Sequence, residues 1–508
     1  MNRWCRLLAL ACVFPARASG QDSTAVLSQG VPVSLSLDEA LRQARAHSPT
    51  YRQALNNAAP ARWGVRNAYG SLLPSVTAST DVGYTGSGQS SLGGGLTFST
   101  SPFLTSGYSL GLDWQLSGRA LMAPAQQKAL QRATDEDISG AGVTLTSEIS
   151  TQYLNTLQAS AQVQVARQQV KRNEDFLALA RARHQVGQAT LLDVRQAEVT
   201  KAGSDVALLR AVQAQNEAKL DLLRRMGVEP PVAIEQIVLS DSFPVSAPTV
   251  KLDSLLALAE QHNPLLRSLR AREHAADLDV RAAKSDFLPS LSFRAGWSGF
   301  TQQYTNEGLL LQQTLTDAQG KAADCQFDNS VKSALSLGGQ VPNCYASNGL
   351  VDGGSALLDP VSQQIRHQND VFPFRYTGQP FGANLSLSLP IFTGFSRSLR
   401  LSQARAQQED ADEDIRARRL AVRSDVQARY LALHTAYQAI AVQASSRDAA
   451  RDQLRLAQER YRVGAGSALE LSDAQNSVQK AEGDYITAVY DYHKAIAALE
   501  AAVGGPLR

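Results

Sequence analysis

Three carboxylates lie beside two glycine-ended helical turns, where they could create a field that attracts cations. Asp193 follows Thr190 by three residues, and Glu470 follows Ser467 by three residues. Each pair fits a capping box, in which the hydroxyl caps a helix and the carboxylate returns a hydrogen bond. Asp473 lies three residues after Glu470 on the same helical face, and capping does not require it. The pattern favours capping for the first two carboxylates and leaves an electrostatic role open for all three.

Residues for covalent or metal chemistry show no recognisable arrangement. The seven histidines have no ligand spacing, and the sequence has no nucleophile elbow, phosphate loop or zinc motif. His47 and His262 each lie beside a helix-breaking proline, which indicates a structural role. The formal charge of +2, from 49 basic and 47 acidic side chains, gives no reason to expect a nucleic-acid partner. We therefore predict no enzyme activity, no metal site and no cofactor.

The N-terminus is typical of a secretory signal. Arg3 and Arg6 precede a short apolar run, and small residues around Ala18 supply a cleavage site. Cleavage after Ala18 is favoured over lipidation at Cys12 or retention of the segment. Lipidation is disfavoured because the branched residue usual three places before a lipidated cysteine is missing.

Two cysteines remain after that cleavage. Cys325 and Cys344 are 19 positions apart, and in an exported chain such a pair predicts a disulfide that holds a long exposed loop. A pair of free thiols is the alternative, which an oxidising compartment disfavours.

The sequence contains two related copies of one unit. Residues 37–75 match 252–290 at a constant offset of 215, and residues 135–227 match 412–504 at an offset of 277. The offsets differ by 62, so the second copy carries about 62 additional residues between 300 and 380. Two long copies indicate a duplicated unit and not a solenoid of many short repeats. The predicted organisation is a signal peptide (1–18), a first repeat (19–227), a linker (228–250), and a second repeat (251–508) with an extended exposed loop (301–380).

Each copy predicts the same order of elements. A helix broken at a proline leads to a Leu-Pro-Ser step, after which two strands, a very long helix and a returning helix follow. The predicted broken helices are 34–72 and 251–287, the long helices 119–185 and 396–462, and the returning helices 190–226 and 467–503.

Four segments of about ten residues alternate between apolar and polar positions, as strands with one apolar face do. The apolar sets are Val76, Ala78, Val82 and Tyr84; Leu110, Leu112, Trp114 and Leu116; Leu291, Phe293, Ala295 and Trp297; and Leu385, Leu387, Leu389 and Ile391. Four strands cannot close a membrane barrel, because open edges are not tolerated in hydrocarbon and single-chain barrels have at least eight strands. Two chains would give eight strands with a filled interior, whereas three chains would give a 12-stranded barrel with a passage.

Together these features resemble the TolC-like outer-membrane efflux protein family. The resemblance covers residues 34–504 and rests on the duplication, the Leu-Pro-Ser steps and two tip motifs. The motifs are His184-Gln-Val-Gly187-Gln-Ala-Thr-Leu-Leu-Asp193 and Tyr461-Arg-Val-Gly464-Ala-Gly-Ser-Ala-Leu-Glu470. Membership implies an α+β fold, in which a trimeric 12-stranded transmembrane β-barrel with four strands per chain is continued by a long periplasmic α-helical barrel. Such homotrimers export drugs, metals or proteins together with a periplasmic adaptor protein and an inner-membrane pump.

The resemblance also implies roles for residues at the tips. Tyr461 corresponds to a gate position, and Glu470 and Asp473 correspond to selectivity positions. In a trimer that pair would place six carboxylates around a narrow mouth, and Asp193 would lie close by. The surroundings of Gly187 and Gly464 would offer the adaptor a docking surface.

Two residues depart from the family pattern. Gly466 stands where the best-known member has a gate arginine, and His184 replaces the usual aromatic of the first copy. These departures count against a resting salt-bridge lock but not against an acidic constriction. The alternative function is a trimeric coiled-coil adhesin or structural protein anchored at the surface, against which the two-copy layout counts.

Overall fold

The computed structural model describes residues 33–92, 96–230, 232–335 and 339–507. The predicted signal peptide, residues 1–18, lies outside these ranges. The chain forms two compact units. The helical unit contains residues up to Ala61, Gln131–Arg272 and residues from Ala411 onward, and the sheet unit contains Arg62–Leu130 and Glu273–Asp410. Within the described ranges, no helix combines the length and the apolar character needed to cross a membrane.

The elements follow the chain in this order. The helices are α1 (Leu37–His47), α2 (Pro49–Asn56), α3 (Ala58–Gly70), α4 (Gly118–Gln185), α5 (Leu191–Met226), α6 (Leu252–His262), α7 (Pro264–Ser285), α8 (Glu307–Ala334), α9 (Cys344–Ser347), α10 (Asp359–Asn369), α11 (Ser396–Arg462) and α12 (Ala468–Val503). The strands are β1 (Val33–Leu35), β2 (Ser75–Thr85), β3 (Gly88–Leu92), β4 (Leu96–Thr100), β5 (Phe103–Leu116), β6 (Ile237–Leu239), β7 (Ser290–Tyr304), β8 (Thr377–Gly378) and β9 (Gly382–Ser388).

The duplication predicted from the sequence is present in the structure. Pro49 and Pro264 each begin a helix, a position where proline is well tolerated because its missing N–H would have no partner there. The long helices α4 and α11 begin and end within one residue of the predicted limits. The first copy has a further break at Asn57, whereas α7 is continuous.

In the helical unit, α4 and α11 pack against α1, α5, α6 and α12. Around α4, the buried core includes Ile149, Tyr153 and Leu222, and the Tyr153 hydroxyl donates to the Leu35 carbonyl at 2.8 Å. That bond fixes β1, which pairs in parallel with β6. The predicted linker 228–250 is therefore not only a connection, because its strand β6 belongs to the packed unit.

The sheet unit is built on four antiparallel strands in the order β2-β5-β7-β9, with the short β8 also paired to β7. The register places the predicted apolar positions opposite one another, so they share one face. Two apolar rows are Val76-Leu112-Ala295-Ala383 and Trp114-Phe293-Leu385. Polar and small residues form the rows of the other face, such as Ser75-Asp113-Arg294-Asn384 and Thr77-Gly111-Gly296-Gly382.

The segment 301–380 is not the loop that the sequence predicts. β7 continues to Tyr304, and three helices, α8 to α10, follow it. Cys325 and Cys344 are bonded, with their Cα atoms 5.6 Å apart, and the helices bury a small core of their own. That core includes Ala318, Ala322 and Leu350. The alanine-rich part of α8 supplies the apolar stripe that the loop prediction overlooked.

A cluster of charges joins the strands to the long helices within the sheet unit. Asp286, just after α7, accepts hydrogen bonds from Arg119 at the start of α4 and from Arg400 near the start of α11. Burial raises the pKa of Asp286, but the two guanidinium groups outweigh that effect and leave the pKa below its usual value. The carboxylate therefore stabilises the fold while it is ionised.

We predict that Asp286→Asn lowers the free energy of unfolding at pH 7 by about 1–2 kcal/mol, because charge-assisted bonds to partly exposed arginines are lost. A carboxylate with a lowered folded-state pKa contributes fully above its ordinary pKa of about 3.9 and loses that contribution as the pH falls further. Thermal unfolding in detergent, followed by circular dichroism, should therefore show a difference from the natural chain that shrinks towards pH 3.

The matched control is Asp277→Asn, which removes an (i, i+4) ion pair to Arg281 on the surface of α7. That change should cost only a few tenths of a kcal/mol. An equal loss in both variants would contradict the role given to Asp286.

Candidate functional site

The two helical hairpins end in the same backbone turn. Gly187 and Gly464 have φ values of 75° and 83°, in the left-handed region that favours glycine. The residue after each glycine donates its N–H to the carbonyl five positions earlier, that of Arg183 or Arg460, at 2.8 Å in both tips. The turns therefore close the carbonyl ends of α4 and α11 without help from another element.

The returning helix of the first hairpin begins with a complete capping box. The Thr190 hydroxyl accepts from the Asp193 N–H at 3.2 Å, and the Asp193 carboxylate accepts from the Thr190 N–H at 2.8 Å. His184, which is exposed, lies within 2.9 Å of the Ala189 carbonyl through Nδ1. His184 and Asp193, two of the three predicted site residues of this tip, therefore hold the turn in shape together with Gly187.

The second capping box predicted from the sequence is only half formed. The Ser467 hydroxyl accepts from the Glu470 N–H at 3.1 Å, as expected. The Glu470 carboxylate instead forms an ion pair with Arg460, at 3.2 Å. Glutamate is one methylene longer than the aspartate of the first tip, so it can reach across the turn to the end of the preceding helix.

Asp473 differs from the other two carboxylates of the site. Its side chain is exposed on the first turns of α12 and has no hydrogen bond or ion pair to any residue that the structure describes. Asp193 is occupied by its cap and Glu470 is neutralised by Arg460. Asp473 therefore carries the one charge of the three that has no local partner among the described residues.

Tyr461 lies inside the packed helices and not on the surface of the tip. Its side chain is 2% exposed. The ring meets the edge of Phe176 at 5.5 Å, and the Arg183 guanidinium lies over it at 4.7 Å. Burial raises the pKa of Tyr461, and its hydroxyl has no hydrogen-bond partner among the described residues. Tyr461 therefore contributes chiefly through its ring.

Arg183 joins the two tips, a role that the sequence reasoning missed. Besides stacking on Tyr461, it donates to the Tyr461 carbonyl and to the Gln188 carbonyl. Arg183 and Arg460 are equivalent under the offset of 277, and each binds a carbonyl of its own turn. The equivalence of the two arginines was visible in the sequence and could have indicated their role, because they directly precede the predicted gate residues His184 and Tyr461.

A buried charge cluster ties three helices together further from the tips. Glu482 of α12 is 6% exposed and forms ion pairs with Arg451 of α11, at 2.9 Å, and with Arg172 of α4, at 3.5 Å. Burial lowers the pKa of Arg172, and the Glu482 charge opposes that effect. A buried charge without its partners would be costly, so the cluster fixes which faces of the hairpins meet. Nothing in the spacing of these residues predicted the cluster.

We predict that Tyr461→Phe changes the free energy of unfolding by less than about 0.5 kcal/mol, because the hydroxyl has no partner to lose. Tyr461→Ala should cost about 3–5 kcal/mol, because it empties a packed aromatic site and removes the stacking partner of Arg183. Chemical unfolding of detergent-solubilised protein, followed by circular dichroism, would measure both. A loss in the phenylalanine variant as large as in the alanine variant would show that the hydroxyl is bonded.

Comparison with known proteins gives partial sequence matches and near-complete structural ones. The toluene efflux pump outer membrane protein TtgF of Pseudomonas putida is 28% identical over 190 residues, which are 37% of this chain and 38% of that protein. The cation efflux system protein CusC of Escherichia coli is 27% identical over 218 residues, 42% of this chain and 46% of that protein. The sequence matches thus span less than half the length of each relative. A solved structure of CusC has a TM-score of 0.66 at 17% identity and covers 93% of both chains.

The family pattern described as outer membrane efflux protein matches residues 40–228 and 361–505. The first range covers most of α1 and continues to the end of α5, and the second covers the last two strands, the long helix α11 and the returning helix α12 of the second copy. The intervening gap contains α8 and α9, which are part of the additional segment. Since the two matched ranges make up well over half of the sequence, the chain belongs to the outer membrane efflux protein family.

Proposed function

We propose that this chain is one subunit of a homotrimeric outer-membrane channel. The channel serves as the passive export conduit of a tripartite efflux or type I secretion system. The observation that carries the proposal is the open four-stranded sheet, which is complete in hydrogen bonding only if other copies extend it.

Both edges of the sheet are free in the part of the chain that the structure describes. β2 pairs only with β5, and among the longer strands β9 pairs only with β7. The side chains of these edge strands are exposed on both faces almost throughout, including Val82 at 69% and Leu387 at 71%. An open edge leaves backbone groups unpaired, which costs several kcal/mol per group in hydrocarbon. An apolar face of this kind in the outer membrane therefore requires neighbours at both edges.

The number of strands favours three copies. Two copies would supply eight strands, and the interior of such a barrel is filled by side chains. Three copies supply twelve, which leaves an aqueous passage lined by the polar face. In this arrangement residues 1–18 are a cleaved signal peptide, and residues 19–227 and 251–508 are the two repeats around the segment 228–250.

The long helices support a wall outside the bilayer. α4 and α11 have 68 and 67 residues, so each is about 100 Å long at 1.5 Å per residue. That length is about three times the hydrocarbon thickness of a membrane. In this proposal the helices lie in the periplasm, where a tube of this length would extend towards an inner-membrane pump.

In this proposal the hairpin tips lie at the periplasmic mouth and would contact the adaptor protein. The duplicated register puts two pairs of exposed apolar side chains there, and none of the four is covered by the described chain. These residues are Val186, Val463, Leu192 and Leu469, exposed by 62–75%. Gly187 and Gly464 shape both turns, so the adaptor would meet two similar surfaces on each subunit.

The channel mouth is proposed to favour cations through Asp473. Three copies would bring three of these free carboxylates around the axis, and Glu470 and Asp193 would lie beside them with partly satisfied charges. Tyr461 would keep the two hairpins of each subunit in one relative position through Phe176 and Arg183. A ring of like charges at a narrow opening attracts counter-ions and hinders ions of its own sign.

The trimer is tested by crosslinking the β2 edge of one copy to the β9 edge of another. Cysteines replace Ser79 of β2 and Ser386 of β9, which both lie on the polar face. Because these residues belong to opposite edges, a bifunctional thiol reagent should link different copies and give dimer and trimer bands on denaturing gels.

The control pair is Ser79→Cys with Ser109→Cys, whose natural hydroxyls lie 2.7 Å apart within one chain. That pair should give monomers alone. A monomeric product from both pairs, with pores still conducting in planar bilayers, would refute the trimeric channel.

We predict that Asp473→Asn reduces the cation over anion permeability ratio by about twofold or more, because it removes the unpaired charge of the mouth. Reversal potentials of purified protein in planar bilayers under a salt gradient would measure the ratio. Asp473→Glu keeps the charge and should leave the ratio unchanged. Unchanged selectivity in Asp473→Asn would place the constriction elsewhere.

A further inference from the structure

The chain between α10 and β8 crosses the apolar face of the sheet. We call residues 369–376 the strap. At its start, the Asn369 side chain bonds both the N–H and the carbonyl of Tyr304, at 2.8 and 2.9 Å. At its end, β8 pairs with Gly299 and Phe300 of β7. The strap therefore runs back beside the last residues of β7 before β9 joins the sheet.

Between these points the strap covers two hydroxyl side chains on the apolar face. Ser106 and Thr301 lie opposite each other in the register of β5 and β7, and their hydroxyls are 2.7 Å apart. The Ser106 hydroxyl also donates to the Pro373 carbonyl at 2.6 Å. Both residues are buried, at 2% and 1% exposure. Without the strap this polar pair would face whatever surrounds the sheet.

The position of the pair coincides with the expected outer limit of the hydrocarbon. An apolar band about 25 Å tall, crossed at a tilt of about 40°, needs about 33 Å of strand, or about ten residues. Counted from the last apolar row at the helix-bearing end, Leu116 with Leu291, about ten residues lead to Ser106 on β5 and to Thr301 on β7. The strap thus covers the sheet from the level at which lipid chains give way to head groups.

The strap also places side chains that suit that level. Tyr376 packs on Tyr108 of β5 with ring centres 4.9 Å apart. Phe374 is 79% exposed, and Arg375 beside it is exposed as well. Girdles of aromatic side chains flank the apolar band of membrane barrels at both interfaces, and long basic side chains near the membrane boundary extend to the phosphate-bearing head groups.

We propose that the strap is a lipid-contacting boundary element. It covers the outer ends of β5 and β7 where the hydrocarbon ends, and it presents Phe374 and Arg375 to the head groups of the outer leaflet. The assignment rests on the proposed membrane channel. It gives the additional segment of the second copy a defined role, since that segment ends in the strap.

The test places a polarity-sensitive fluorophore on single cysteines and measures its quenching in vesicles of phosphatidylcholine. The vesicles carry a nitroxide either on the head group or in the middle of the acyl chain. Phe374→Cys is the strap position, with Arg375→Cys as a second reporter should the first fail to fold. The two natural cysteines of the segment are bonded to each other and will not react.

We expect the label at position 374 to be quenched more by head-group nitroxide than by acyl-chain nitroxide. Leu110→Cys, at mid-height on the apolar face, should show the opposite order, and Phe300→Cys, on the polar face, should be quenched by neither. Stronger acyl-chain quenching at 374, or no quenching there, would overturn the strap proposal while leaving the channel intact. Quenching at Phe300, or its absence at Leu110, would instead overturn the assignment of the faces and with it the channel.

Discussion

Backbone hydrogen bonding at the edges of the four-stranded sheet is the constraint on which the rest of the molecule depends. The two interior strands, β5 and β7, have partners on both sides over most of their length, whereas β2 and β9 each have a free edge in the described chain. Apolar rows on one face make water an unsuitable surrounding, and free edges make hydrocarbon unsuitable as well. In the proposed channel, association of copies would satisfy both requirements and would make the duplicated chain a repeating part of a larger ring. The family match confirms the expectation, drawn from the sequence, of an outer membrane efflux protein.

The two copies use the same local chemistry with small differences that change its outcome. Both tips close through a left-handed glycine and an arginine carbonyl, and both returning helices begin with a hydroxyl cap. The shorter Asp193 completes its box, whereas the longer Glu470 pairs with Arg460. Arg183 stacks on Tyr461 where the two copies contact each other. The two hairpins therefore form an asymmetric contact, although they follow the same local design.

The additional segment shows how one copy can gain a part without disturbing the common framework. Its helices bury a small core, a disulfide links α8 to α9, and the chain returns to the sheet through residues 369–376. The hydrogen bonds of Asn369 and Ser106 attach that return to β7 and β5. The segment therefore depends on the sheet for its position, whereas the order of the four main strands is the same as the duplication alone would give.

The elements and their duplication could be read from the order of the amino acids, because helices and strands follow from local periodicity, prolines and caps. Local patterns predicted the limits of α4 and α11 and the starts of the strands at the Leu-Pro-Ser steps. They also predicted which residues of each strand lie on the apolar face. Contacts between distant segments were decided only by the tertiary structure. Four features depend on which surfaces of the folded chain meet. They are the partner of Glu470, the burial of Tyr461 beneath Arg183, the cluster around Glu482 and the strap over Ser106. Such meetings join residues up to 310 positions apart, and a spacing rule that acts within one helix or strand carries no information about them.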